Sequence, residues 1–216
     1  MTPESRKPGH RFLQSIHAQL ERDRHAPETP LPPVRSRSIS GMDLVEEFQK
    51  QALGVGARCE ILDGALLPVA IEERLRAISA AKVAISDSPL VSSLVPQLAT
   101  STRVVQPDGS RGDLFDADAG VTAVQWGIAE TGTLVLVSAT ERHRLASLVP
   151  PIHIALLPAS CIVGTMCEVL EGIAHAPHNQ AVTFITGPSR TADIELTLVV
   201  GVHGPRQLDI CVIRDR

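Results

Sequence analysis

Gly127-Ile128-Ala129-Glu130-Thr131-Gly132-Thr133 runs straight into Leu134-Val135-Leu136-Val137-Ser138. The apolar half shows no polar alternation, so it reads as a strand buried on both faces. The polar half is then the loop that feeds the strand. Its glycines permit φ > 0 and let a ligand come close to the backbone. Two readings stand side by side. In one, Glu130 is a working side chain on a ligand-facing loop, with Thr131, Gly132 and Thr133 around it. In the other, the loop is a tight turn whose Glu and Thr cap local backbone groups.

Upstream of this stretch the patterns alternate. Residues 42–53 read as a helix, with Ser40 or Gly41 before it and Gly54 and Gly56 after it. Glu60-Ile61-Leu62 is a short strand. Residues 68–80 form a helix with Pro68 at its start, and 82–86 a strand. Asp87-Ser88-Pro89 opens a helix around 90–98, and Arg103-Val104-Val105 is the next strand. Helix–strand alternation argues for a parallel sheet with covering helices. Downstream, strands are expected over 119–122, 134–137 and 153–157, and a helix over 162–173. The last third has strands over 182–185, 196–200 and 210–213, with short connections.

The N-terminal region differs. Phe12, Ile16 and Leu20 recur every four residues, an amphipathic helix over 11–24. A linker follows with four prolines in the seven residues Pro27 to Pro33, which excludes helix and central strand. The expected division is therefore residues 1–38, a tethered helix and its linker, and residues 39–216, one α/β domain.

Composition removes several functions. Aromatic residues make up 2% of the chain, with no Tyr, so a base-stacking nucleic-acid platform is not expected. The net charge is −4, and a weakly basic tail on an acidic body is not the footprint of a DNA-binding domain. No apolar run reaches the length of a membrane span, and the first ten residues lack a secretory core. Cys59, Cys161, Cys167 and Cys211 are dispersed without a C-x-x-C pair, so neither a zinc ribbon nor an iron–sulfur cluster is encoded. Reduced thiols in the cytoplasm are the expectation.

Three further stretches carry candidate chemistry. Thr186-Gly187-Pro188-Ser189-Arg190-Thr191 follows a strand directly. Backbone N–H groups, the Ser189 and Thr191 hydroxyls and the Arg190 fork suit a carboxylate or phosphate. The alternative is a capped turn, with Arg190 paired to Asp193 or Glu195. His203, in Gly201-Val202-His203-Gly204-Pro205, is placed to exchange a proton near neutral pH or to serve only the turn. Arg144 is a candidate ligand contact. His175 and His178 are separated by Pro177, which spoils a metal-binding helical spacing. Phosphate-loop, dinucleotide and zinc-protease motifs are absent. Thr191 stands where a serine nucleophile elbow requires Gly.

Four of these segments together resemble a known family. They are Ala129-Glu130-Thr131-Gly132-Thr133, Ser147 to Ala155 with its Pro150-Pro151-Ile152-His153, Phe184 to Glu195, and Val200 to Pro205. In this order and spacing they look like the lactate utilization protein C family, the LUD-domain proteins, and the likeness extends to the helix over 12–22. The resemblance implies a Rossmann-like, mostly parallel sheet with flanking helices, similar to the ribose-5-phosphate isomerase, glucosamine-6-phosphate deaminase and CoA-transferase group. It also implies a part in oxidising L-lactate to pyruvate, as one subunit of a system whose partner subunits carry iron–sulfur clusters, with no cofactor on this chain. Under that reading Arg190 pairs with a small anion, and Glu130 or His203 holds or moves a proton. The other readings are a stand-alone enzyme on a CoA or sugar-phosphate ligand, with Glu130 as nucleophile or base, and a non-catalytic assembly module docking through the tethered helix.

Overall fold

The computed structural model describes residues 43–138, 144–174, 180–191, 199–200 and 204–214, together with Gln14, Ser15, His17 and Ala18. Those last four are helical and exposed; the rest of the expected helix over 11–24 lies outside the described residues. The chain divides after Arg35, and all the elements that follow belong to the second unit. In order they are α1 (Leu44–Gly54), β1 (Arg58–Asp63), α2 (Leu67–Ala77), β2 (Lys82–Ile85), α3 (Pro89–Ser92), α4 (Val95–Leu98), β3 (Arg103–Val105), α5 (Arg111–Phe115), β4 (Ala119–Ala123), β5 (Trp126–Ile128), β6 (Thr133–Val137), β7 (Ile152–Pro158), β8 (Ile162–Val163), α6 (Met166–Ala174), β9 (Val182–Ile185), β10 (Arg190–Thr191), β11 (Val199–Val200) and β12 (Gln207–Arg214).

Six strands form one sheet in the order β1-β12-β7-β4-β2-β3, and every neighbouring pair is parallel. The expected parallel sheet with flanking helices is thus present. Ile71 and Leu75 of α2, Val91 of α3 and Leu98 of α4 cover one face, packing with Val83, Ile85, Val121, Ile154 and Leu156. Each such side chain stabilises the fold by about 1.5–3 kcal/mol through apolar area removed from water.

The Leu134–Val137 run is a strand, as expected, but it is not part of this sheet. It lies in a second sheet, ordered β8-β5-β6-β9, antiparallel to both its neighbours. All five residues of β6 are nonetheless buried. Leu134 and Leu136 pack against Ala155, Leu157, Leu208 and Ile210 of the first sheet and against Phe48 and Ala52 of α1. Val135 packs with Ile128 and with Val169 of α6. A strand between a sheet and a helix is as apolar as one in a covered parallel sheet, so the run by itself does not distinguish them.

Local chemistry explains the other departures. The helix expected over 90–98 is split into α3 and α4, because Pro96 has no N–H and crowds the preceding turn. The helix expected from residue 162 begins at Met166. Glu168 Oε1 accepts from the Thr165 N–H and hydroxyl, each at 2.9 Å, in a capping-box arrangement. Asp43, rather than Ser40 or Gly41, caps α1 by accepting from the Val45 N–H at 2.9 Å.

Candidate functional site

Residues 129–132 form the turn of the β5–β6 hairpin. The Thr131 and Gly132 N–H groups both donate to the Ile128 carbonyl, at 3.3 and 2.9 Å. Gly132 has φ +65°, and a Cβ there would overlap the backbone of Gln51 and Ala52. Its glycine therefore admits a helix rather than only a turn. The Glu130 N–H donates to the Gly164 carbonyl at 3.1 Å. Its carboxylate Oε1 accepts from the Met166 N–H at 3.0 Å. A carboxylate at the first turn of α6 complements the helix dipole and satisfies one of its free N–H groups.

A line of hydroxyls joins this turn to the second loop. Thr131 and Thr133 Oγ1 lie 2.7 Å apart, and Thr133 and Thr186 Oγ1 lie 2.8 Å apart. Gly187 has φ +76°, and a Cβ there would stand 2.6 Å from the Val55 carbonyl oxygen. Arg190 Nη2 donates to that same oxygen at 2.8 Å, a favourable place for a cation at a helix C-terminus. The Ser189 N–H donates to the Pro205 carbonyl at 2.8 Å. Both loops are thus seated on the end of α1, one at Gln51 and Ala52, the other at Val55.

Of the remaining candidates, Arg144 and Thr191 are described. Arg144 is exposed at the start of the short 3-10 turn Arg144–Ser147. Its carbonyl accepts from the Ser147 hydroxyl at 2.8 Å. Thr191 pairs with Val199 in a two-residue antiparallel ladder. His203, Asp193, Glu195, His175 and His178 lie outside the described residues.

Beneath the second loop is a cleft of about 320 Å³, walled among others by Ser147, Thr186, Gly187, Ser189, Arg190 and Gly204. Among the described residues its wall contains one guanidinium and no carboxylate. It also contains His153, on β7 and only 1% exposed. His153 Nε2 lies 2.9 Å from Thr122 Oγ1. Its Nδ1 is buried and has no hydrogen-bond partner among the described residues. Burial pushes the imidazole down to about 4, so the ring is neutral at physiological pH. Gly120, opposite His153 in the parallel register, holds the space above the sheet open. A Cβ there would overlap the Ala146 carbonyl, so only glycine lets the 3-10 turn lie this close.

His153 was not singled out as a site residue from the sequence, although it lies within a quoted motif. Its signal is a single imidazole in an otherwise apolar seven-residue strand, since a polar side chain buried in a core is the informative exception.

A larger cleft, about 490 Å³, opens along β1 and α2. Its main charges meet each other. Arg74 pairs with Glu60, and Arg58 Nε lies 4.0 Å from Asp209. Asp209 also accepts from the Gln207 amide at 2.9 and 3.1 Å. Burial nonetheless holds the Asp209 carboxyl above the usual carboxylate range. As for metals, no group of three or more His, Cys, Asp or Glu able to hold an ion exists among the described residues. Burial pushes the Cys59 and Cys211 thiols up to about 12, which keeps them protonated and unsuited as ligands.

These features define an α/β protein in which a six-stranded parallel sheet and a four-stranded mixed sheet share one core. The chain belongs to the LUD domain family, whose model matches residues 98–213. Lactate utilization protein C of Exiguobacterium sp. is 29% identical, over 94% of this chain and 95% of its own length. The Deinococcus radiodurans protein of the same name is 33% identical, over 87% of this chain and 85% of its own. A crystal structure of a DUF162 family protein from Deinococcus radiodurans matches with a TM-score of 0.62 at 28% identity, covering 79% of this chain and 96% of that one. The family resemblance drawn from the four motifs is therefore borne out, as is the α/β fold.

Proposed function

We propose that this chain works in lactate utilization, as a cytoplasmic subunit of an iron–sulfur-dependent system that oxidises L-lactate to pyruvate. The observation that carries the reading is its likeness, over most of its length, to proteins named lactate utilization protein C. The cleft beside His153 supports a small anionic ligand. A guanidinium and the hydroxyls of Ser147, Thr186 and Ser189, with no carboxylate among the described wall residues, suit a carboxylate guest. The size, about 320 Å³, fits a small molecule.

In this reading Arg190 keeps one N–H group on Val55 and offers the others to the anion. Thr186 and Ser189 orient it, and the Thr131–Thr133–Thr186 hydroxyls fix the loop. The clusters, which supply one-electron transfer where they are bound, belong to partner subunits. The thiols of this chain are dispersed, and burial keeps Cys59 and Cys211 protonated, which does not fit that role. Glu130 orders the hairpin against α6. A nucleophilic Glu130, as a stand-alone CoA or sugar-phosphate enzyme requires, would have to leave the Met166 N–H it now accepts from.

Deleting the gene tests the reading. We expect loss of growth on L-lactate and of lactate-dependent dye reduction in extracts. Tagged full-length chain should co-purify iron–sulfur proteins. Normal growth and dye reduction in the deletion strain would overturn it.

A further inference from the structure

The wall of the smaller cleft contains one group that the fold leaves incomplete. His153 Nε2 is held by the Thr122 hydroxyl at 2.9 Å, whereas Nδ1 is buried without a partner among the described residues. A buried polar atom left unpaired forfeits the hydrogen bond it had in water, so a ligand that supplies one is favoured. Among the described residues the only other such side-chain atom is the Ser86 hydroxyl oxygen, and Ser86 is not part of this wall. We propose that His153 Nδ1 is the recognition atom of this cleft, hydrogen-bonding the hydroxyl or carbonyl oxygen of a small 2-hydroxy or 2-oxo carboxylate. This rests on the small-anion reading of the same cleft.

Chemistry selects that ligand class. A neutral imidazole has one N–H and one lone pair. A hydroxyl both donates and accepts, so Thr122 satisfies Nε2 in either tautomer. When Thr122 accepts from Nε2–H, Nδ1 is an acceptor and takes a ligand hydroxyl. When Thr122 donates to Nε2, Nδ1–H is a donor and takes a ligand carbonyl. The Thr122–His153 pair therefore has one tautomer for each member of a hydroxy-acid and oxo-acid couple. Arg190 and the Thr186 and Ser189 hydroxyls, in the same wall, supply the counterpart for the carboxylate. No carboxylate among the described wall residues competes with the guest.

The test titrates the full-length chain with L-lactate, pyruvate, glycolate and propionate, the last lacking the recognised oxygen, using calorimetry. At least one of the first three should bind about tenfold more tightly than propionate, the worth of one well-placed hydrogen bond. His153→Gln carries an amide at the Nε2 position for Thr122 and nothing at Nδ1. It should bind that ligand no better than propionate, with propionate unchanged. His153→Asn, with its amide near the Nδ1 position, should restore part of the preference. In the unaltered chain, ¹⁵N-imidazole resonances should show the ligand shifting Nδ1 more than Nε2, a readout that needs no variant to fold.

The proposal is overturned if His153→Gln keeps the preference, if the chain binds all the acids equally or none, or if Nδ1 does not respond. Glycolate read through His153 with lactate ignored would support the atom's role and count against lactate as substrate. Lactate bound equally by the unaltered chain and His153→Gln, with dye reduction intact, would leave the lactate reading standing and remove this one.

Discussion

The two clefts differ in the way their polar groups are satisfied. Along β1 and α2, most charges in the wall of the larger one meet a partner: Arg74 pairs with Glu60, and Asp209 with Arg58 and the Gln207 amide. Beside β7 the smaller one contains a cation, several hydroxyls and a buried ring nitrogen with no partner. Volume alone would favour the first. A surface whose charges are already paired gains little from a guest, whereas an unpaired buried atom gains a full hydrogen bond. The second cleft is also framed by close approaches, of Gly120 and Gly187 to backbone carbonyls and of Gly204 to the Ser189 side chain.

The largest expected contrast is at the glycines. Gly120→Ala would drive a Cβ into the Ala146 carbonyl beneath the His153 cleft, and we expect a loss of about 3 kcal/mol or more. Gly54→Ala, next to Leu53 on the larger cleft, meets nothing within 4 Å and should be neutral or stabilising by up to about 1 kcal/mol. Thermal unfolding of both variants measures the difference, and equal losses would remove the claim that only one cleft is tightly framed.

Acid should separate the clefts next. His153 is depressed from 6.5 to about 4 by burial, so below pH 6.5 the unfolded chain takes up a proton that the folded chain refuses. Stability is fully present above pH 6.5 and is lost as pH falls towards 4, by up to about 3 kcal/mol. Asp209 is raised, so it has the opposite sign: its contribution favours the fold in acid and is lost as pH rises through its folded value. Urea midpoints between pH 7 and 4.5 should fall in the parent chain, fall less in His153→Gln, and still fall in Asp209→Asn.

Thr122→Val should follow, at about 1–2 kcal/mol, because it leaves a second ring nitrogen of His153 unmatched. Denaturant unfolding measures it, and no loss would mean that the Thr122–His153 contact contributes nothing. The smallest effect belongs to the larger cleft. Glu60→Gln breaks a pair whose carboxylate side chain is 60% exposed, and should cost less than about 1 kcal/mol, shrinking further in salt.

Much of this molecule was legible from local pattern. The strands over Arg103–Val105 and Val182–Ile185 fall where their apolar runs place them. Pro68 sits in the first turn of α2 as its fixed φ requires. Other signals were present and went unread. Thr165-x-x-Glu168 is a capping box, and it marks the start of α6 four residues later than the apolar run suggests. Ser110 caps α5 by accepting from the Asp113 N–H at 3.1 Å, a helix that no apolar periodicity announces. Glu130 could not be placed by local reading, because the N–H it accepts from is on Met166, thirty-six residues away.

By itself the sequence determined the alternation of strands and helices, the α/β class and the family, because these rest on local periodicity and on motif order. It also determined that Leu134–Val137 is buried on both faces. Only the tertiary structure decided which sheet that strand joins, since burial against a helix and burial within a parallel sheet demand the same side chains. Only it decided that β12 enters between β1 and β7, that Gly132 admits a helix backbone, and that His153 and Arg190 line one cleft. Each of these depends on a neighbour distant in sequence, and a hydrogen bond or a steric limit exists only once both partners have been brought together.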